Sequence, residues 1–118
     1  MPCTEVPPGQ VTQGMRDVAT WAVLLANELG IGGIVVRFID EPRVGDRANY
    51  GGRVLTFNVA KLGVRWFEPK KSDVLDLILH EFGHEYASNH LDEGYYRALT
   101  ALAVKAVWLA VKKPEVFT

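Results

Sequence analysis

The amino-acid sequence predicts a single α+β domain in which a small sheet packs against an N-terminal helix, a central helix and a C-terminal helix. Three segments carry apolar residues at intervals of three and four, as amphipathic helices do. Two short segments rich in β-branched and aromatic residues lie between the first two of these helices. A chain of 118 residues has room for one hydrophobic core, and its 48% content of hydrophobic residues argues against extended disorder.

The N-terminal region predicts a flexible, proline-rich lead-in over residues 1–10, followed by the domain itself over residues 11–118. Thr12 is suited to cap the first helix, which we expect to run to Leu29. Glycines at positions 30, 32 and 33 then end this helix. Its apolar face consists of Met15, Val18, Trp21, Ala22, Leu25 and Leu29.

Two strands are predicted after the first helix. Residues 34–39 form the first, and residues 53–59 form the second, with alternate side chains facing opposite sides. The polar segment between them, residues 40–50, is expected to be a loop, and Gly51-Gly52 a turn. Because two strands alone are marginally stable, a third strand within residues 40–50 stays an open alternative.

Two further helices complete the prediction. Ser72 or Asp73 is expected to cap a helix that runs to about Ser88, with an apolar face that includes Ile78 and Phe82. A turn over residues 89–92 follows. The last helix is then predicted over residues 93–113, with Asp92 as its cap and a proline just beyond its end.

An HExxH motif runs from His80 to His84 within the predicted central helix. Residues four apart on a helix differ by about 40° around its axis and by one turn along it. The two imidazoles can therefore reach one tetrahedral zinc ion at about 2.0–2.1 Å. Glu81 stands beside both, where a carboxylate can take a proton from metal-bound water without being a ligand. The motif predicts one Zn²⁺ held by His80 and His84, with Glu81 as general base.

A third protein ligand is needed to complete such a site, and His90 is the leading candidate. On a continuous helix His90 would lie about 240° around the axis from His84. The helix must therefore break near residues 87–89, where Asn89 tolerates the left-handed conformation. Glu93 is the rival, and Asp92 is a weaker one. A fourth protein ligand would make the ion purely structural, but such a site would have no use for a base at position 81.

The full pattern HExxHxxxxxH, which ends at His90, resembles the catalytic helix of zincin metallopeptidases. It is most similar to the compact YgjP-like, SprT-like and WLM-type group, over residues 75–99. The resemblance implies a minimal zincin-like fold and zinc-dependent hydrolysis of peptide bonds. It also implies that the strand before the active-site helix, residues 53–59, lines the cleft and pairs with an extended peptide substrate.

The sequence also suggests roles for several other side chains near the motif and in the core. Tyr95 or Tyr96 could donate a hydroxyl to the developing oxyanion or orient a ligand. Gly83 inside a helix suggests close packing beneath the metal site. Glu85 is expected to face solvent. The three tryptophans are expected to anchor the core or its rim: Trp21, Trp66 and Trp108.

The bulk properties limit the classes of partner. A formal net charge of −1 provides no general attraction to nucleic acid, which disfavours a DNA-associated protease. No apolar stretch is long enough to span a bilayer, and a single cysteine cannot form an internal disulfide. We expect a cytoplasmic zinc metallopeptidase that acts on a peptide or protein substrate. The alternative is a zinc-containing binding or regulatory module with little or no proteolytic activity.

Overall fold

The computed structural model describes residues 5–68, 72–85 and 93–118, and it confirms the α+β class. Within these residues four α-helices occur, and three strands form one sheet. The helices are α1 (Gln13–Glu28), α2 (Val59–Leu62), α3 (Ser72–Phe82) and α4 (Glu93–Lys112). The strands are β1 (Val35–Ile39), β2 (Ala48–Gly51) and β3 (Val54–Asn58). Short 3₁₀ turns occupy Pro8–Gln10, Val64–Phe67, Gly83–Glu85 and Pro114–Phe117.

Helix α1 begins and ends almost where the sequence predicts. The Thr12 hydroxyl accepts a hydrogen bond from the Met15 amide at 3.2 Å, so Thr12 is the N-cap. At the other end Gly30 adopts a φ of 84°, which turns the chain out of the helix. The predicted apolar face is buried, and it includes Trp21, whose Nε1 donates to the Val116 carbonyl at 2.7 Å.

The sheet has a third strand, β2, in the segment that the sequence predicts to be a loop. The alternative of a third strand in this segment is therefore the correct one. The order of the sheet is β1-β3-β2, with β1 and β3 parallel and β2 and β3 antiparallel. Strands β2 and β3 form a hairpin through Gly52 and Arg53, whose φ angles are 56° and 63°. Positive φ at both residues of a two-residue loop is the signature of a type I′ turn, whose twist matches that of the strands.

The core lies between one face of the sheet and the helices. Tyr50, Leu55 and Phe57 are buried on that face, and burial of each such side chain contributes about 1.5–3 kcal/mol. Helix α1 contacts β1, and α3 contacts β2. Helix α4 contacts α3 and the 3₁₀ turn that follows it. The C-terminal helix therefore packs directly against the central helix.

Part of the segment expected to be a flexible lead-in is attached to the sheet. Glu5 forms an antiparallel bridge with Ile39, and the Val6 amide donates to the Phe38 carbonyl at 3.0 Å. The Arg37 guanidinium also donates to the Glu5 carboxylate. These contacts cover the outer edge of β1, which would otherwise present unpaired backbone groups.

The central helix differs from its prediction at both ends. Ser72 and Asp73 lie inside α3, so neither is the residue that precedes it. The α-helical pattern stops at Phe82 and continues as the 3₁₀ turn Gly83–Glu85. The predicted break near Asn89 and the predicted cap Asp92 lie outside the described residues.

Helix α4 matches its predicted bounds within one residue, and Pro114 follows it. Trp66 is partly buried against the core, as expected. Trp108, in contrast, is 60% exposed, so the prediction that it anchors the core or its rim is wrong. Among the helices described, none combines the length and apolar character that a membrane span requires.

Asn58 at the end of β3 holds the loop that leads into β2. Its side-chain oxygen accepts from the Glu41 amide at 3.1 Å and from the Ala60 amide at 3.3 Å. Its side-chain nitrogen donates to the carbonyls of Glu41 at 2.9 Å, Asp46 at 3.2 Å and Val44 at 3.4 Å. Asn58 is buried, and its polar atoms are satisfied by main-chain groups of this loop and of α2.

Replacing Asn58 by aspartate should therefore destabilise the fold. Aspartate keeps the oxygen that accepts from the two amides. Its second carboxylate oxygen takes the place of the side-chain nitrogen, so the carbonyls of the loop lose their donor and face an oxygen instead. We expect Asn58→Asp to lower the free energy of unfolding by about 2–3 kcal/mol in urea titrations at pH 7. The matched control Asn49→Asp, at an exposed position of β2, should change it by less than about 0.5 kcal/mol. Equal effects of both substitutions would contradict this role of Asn58.

Candidate metal centre

A cleft of about 690 Å³ lies between α3 and β2, within the usual size range of small-ligand sites. Helix α3 contributes Asp76 and Leu77 together with the HExxH side chains. Residues 45–51 form the opposite wall, so the strand that lines the cleft is β2. The prediction that residues 53–59 line it is wrong, because β3 lies in the middle of the sheet and β2 forms the edge beside α3.

His80 and His84 lie side by side at this cleft. Their ring centroids are 5.7 Å apart, and the ring planes meet at 80°. Two imidazoles that share one tetrahedral zinc ion through nitrogen, at about 2.0–2.1 Å, hold their centroids roughly 5 Å apart. The observed spacing is close to this value, so the two side chains fit a shared ion with small adjustments.

Glu81 lies beside the histidines at the cleft wall, and it is only 6% exposed. One carboxylate oxygen stands 3.8 Å from Nε2 of His80. The pKa of Glu81 is raised to about 7, chiefly by burial and to a smaller extent by the charge of Asp46, while the charge of Arg47 opposes the rise. A carboxyl group with a pKa near neutrality can both accept and return a proton, as a general base and acid must.

Tyr95 on α4 contacts both histidines. Its ring centroid is 5.7 Å from that of His80 and 5.1 Å from that of His84. The hydroxyl donates to the His80 carbonyl at 2.6 Å, while Tyr96 is exposed. Of the two predicted aromatic candidates, Tyr95 is thus the one that lies at the site, and its contacts are those of a residue that orients the two histidines.

Gly83 makes the Tyr95 contact possible. A Cβ atom at position 83 would stand 2.7 Å from Cε2 of Tyr95, closer than such atoms approach in folded proteins. The predicted close packing at Gly83 is therefore present, and its partner is an aromatic ring from α4. The sequence alone could not identify that partner.

Glu85 does not face solvent as expected. Its carboxylate accepts a hydrogen bond from the Tyr50 hydroxyl at 2.5 Å, and Nε of Arg53 lies 3.9 Å from the same oxygen. The helical projection places Glu85 away from His80, but it takes no account of β2, which lies beside the turn. Glu85 thereby links the end of the HExxH segment to the β2–β3 hairpin.

The candidates for the third ligand have different outcomes. His90 and Asp92 lie outside the described residues. Glu93 is exposed at the start of α4, where its carboxylate pairs with Arg97 at 2.9 Å. Across residues 5–68, 72–85 and 93–118, no group of three His, Cys, Asp or Glu side chains is placed to hold a metal ion. Within the described residues, the HExxH segment thus contributes two imidazoles and the Glu81 carboxylate to the candidate site.

Sequence reasoning missed the contributions of Asp46, Arg47 and Tyr50 to the cleft wall. Tyr50 had a usable signal, because an aromatic residue directly before a glycine pair such as Gly51-Gly52 is typical of a hairpin strand. The loop residues Asp46 and Arg47 had none, because their place at the cleft depends on the buried Asn58 contacts.

Comparisons of this chain with protein-family models, curated proteins and solved structures give no match. The resemblance of the HExxHxxxxxH pattern to zincins stays a prediction.

Substituting alanine for Gly83 tests the packing beneath the histidines. The added methyl group should displace the buried Tyr95 ring, which is held by its hydroxyl at His80. Overpacking of this kind costs about 1–3 kcal/mol, and the higher helix propensity of alanine offsets up to about 1 kcal/mol. We expect a net loss of about 1–2 kcal/mol in the free energy of unfolding, measured by denaturant titration.

The matched control for this experiment is Gly33→Ala. A Cβ atom at Gly33 has no neighbour within 4 Å, and Gly33 is not among the glycines with positive φ. We expect this variant to be as stable as the parent chain or slightly more stable. Unchanged stability of Gly83→Ala would show that Tyr95 does not pack against the turn.

The raised pKa of Glu81 predicts a pH dependence of stability in zinc-free protein. The folded state keeps the Glu81 proton up to a pKa of about 7, whereas the ordinary value is 4.5. This stabilising contribution is complete below about pH 4.5 and is lost as the pH rises to about 7. We expect the free energy of unfolding to fall by about 2 kcal/mol over this pH range. The full pKa shift would give a larger fall, but water in the cleft screens part of the charge.

The measurement is urea unfolding of chelator-treated protein between pH 4.5 and 7.5, with Glu81→Gln alongside. All other ionisable groups are common to both proteins, so the difference between the curves isolates Glu81. The glutamine variant should lose the decline attributed to Glu81. Parallel curves for the two proteins would show that Glu81 has an ordinary pKa in the folded state.

Proposed function

We propose that this chain is a zinc-dependent metallopeptidase domain of the compact zincin type, which hydrolyses peptide bonds. The observation that carries the proposal is the spacing of His80 and His84 at the cleft, with the buried Glu81 between them in sequence. The two rings are spaced to share one ion, and the carboxylate beside them, whose pKa burial raises in the zinc-free protein, is of the type that serves as a general base.

In this proposal zinc is held by His80, His84 and the predicted third ligand His90. When bound there, zinc would lower the pKa of a coordinated water toward about 7 and polarise the substrate carbonyl. Glu81 accepts the proton that water loses on attack and passes it to the departing amine. Tyr95 keeps both imidazoles in place during this cycle through its ring contacts and its bond to the His80 carbonyl.

The substrate in this proposal is a peptide in extended conformation. Strand β2 forms both the edge of the sheet and one wall of the cleft. An extended chain laid along β2 could form main-chain hydrogen bonds with that edge. Its scissile bond would then lie between β2 and the HExxH residues of α3. This placement favours peptides and unfolded protein segments over small ligands.

Zinc content and Glu81→Gln together test the proposed activity. We expect about one zinc per chain in purified protein, measured by mass spectrometry of the metal. Glu81→Gln should keep the zinc and lower kcat/KM on denatured casein by a factor of about 10²–10⁴, because it removes only the base. The matched control Asp73→Asn changes an exposed carboxylate of the same helix and should leave both quantities unchanged.

The same metal measurement on ligand variants identifies the coordinating residues. His80→Ala and His84→Ala should each lose zinc. His90→Ala should lose it and Glu93→Ala should retain it if His90 is the third ligand; the reverse pattern would assign Glu93. Bound zinc without casein hydrolysis in the parent chain would instead support the binding or regulatory module.

A further inference from the structure

Helix α4 has an apolar side that faces away from the core. Its buried side chains, Tyr95, Ala98, Leu102 and Leu109, point toward the rest of the domain. On the opposite side four large apolar residues are exposed, here called the α4 outer face. They are Val104 (53% exposed), Val107 (64%), Trp108 (60%) and Val111 (69%).

The position of these residues on the helix makes the outer face continuous. At about 100° per residue, the four side chains fall within an arc of roughly 100° opposite the buried face. The charged neighbours Lys105 and Lys112 lie to one side of this arc, and the Lys105 ammonium donates to the Leu29 carbonyl at 3.3 Å. A surface helix usually carries polar residues in this arc, so the face has the composition of a contact surface.

The size of the outer face suits a small protein interface. Its four side chains expose on the order of 400 Å² of apolar surface, in the range of the largest patches on monomeric proteins, which are often functional. The exposed alanines at 101, 103 and 110 enlarge it. A pair of such faces would bury a total of about 1,000 Å², at the lower limit of specific interfaces.

We propose that the α4 outer face is the interface of a homodimer, in which two copies of α4 pack antiparallel. Positions 104, 107, 108 and 111 are symmetric about the midpoint between Val107 and Trp108. A two-fold axis through that midpoint places Val104 opposite the partner's Val111 and Val107 opposite the partner's Trp108. The same patch therefore complements itself, as a two-fold interface requires.

The charges next to the outer face are compatible with this pairing. In the antiparallel register Lys105 lies opposite the partner's Ala110, and Lys112 lies opposite the partner's Ala103. Lysines of the two copies are thus not directly opposed, and the two helix dipoles run in favourable opposite directions. In a parallel pairing each lysine would instead face its own counterpart.

Sedimentation velocity over about 1–500 µM protein tests the dimer. Interfaces near the lower size limit are typically weak and transient, so we expect a dissociation constant in the micromolar range. Trp108→Lys should raise that constant at least tenfold without loss of folding, because the side chain is exposed. Val35→Lys changes another exposed valine (59%) outside α4 and should leave dimerisation unchanged. A parent chain that is monomeric throughout would overturn the proposal.

Disulfide trapping tests the antiparallel register, with Cys3→Ser as the background. A mixture of Val104→Cys and Val111→Cys chains should cross-link readily under mild oxidation, since the two positions are opposed. Either variant alone should cross-link far less, because each cysteine lies about seven residues, or roughly 10 Å, from its counterpart. Preferential cross-linking of a single variant to itself would indicate a parallel pairing and would overturn the register.

Discussion

The contact between Tyr95 and the end of α3 is the interaction on which the arrangement of the site depends. One ring touches both imidazoles, and its hydroxyl satisfies the His80 carbonyl near the point where the α-helix gives way to the 3₁₀ turn. Carbonyls in the last turn of a helix need a partner from elsewhere. Here that partner is Tyr95 of α4. The packing of α4 against α3 and the orientation of the two histidines therefore depend on the same contact. Gly83 provides the space for it.

The sheet side of the cleft depends on a second set of contacts. Asn58 holds the loop before β2, and the type I′ turn at Gly52 and Arg53 returns the chain into β3. Glu85 then joins the end of the histidine segment to this hairpin through Tyr50. Both walls of the cleft are therefore tied to each other by polar contacts as well as by the apolar core.

Periodicity explains why much of the fold could be predicted from the sequence. The apolar spacing of α1 and the β-branched run of β1 depend on local chemistry, and both elements were predicted close to their observed bounds. The HExxH spacing likewise predicts that His80 and His84 lie together, because a helical turn alone brings them there. Such features need no knowledge of neighbouring elements.

The remaining features depend on contacts between distant parts of the chain. Strand β2 is short and polar, and it is a strand because β3 pairs with it and α3 covers it. The partner of Gly83, the engagement of Glu85 and the raised pKa of Glu81 likewise arise from residues brought together by folding. Trp108 is the opposite case: a tryptophan suggests a core position by its type, but its place on α4 turns it outward.

The Asn58 contacts have a consequence for how this cleft could diversify. Asn58 reaches the loop only through main-chain amides and carbonyls. Side chains along residues 42–47 can therefore be exchanged without loss of the anchor that shapes the loop. One wall could therefore acquire new bulk over evolutionary time while its main-chain anchor stays the same, whereas a change of charge at Asp46 or Arg47 would also shift the pKa of Glu81 across the cleft.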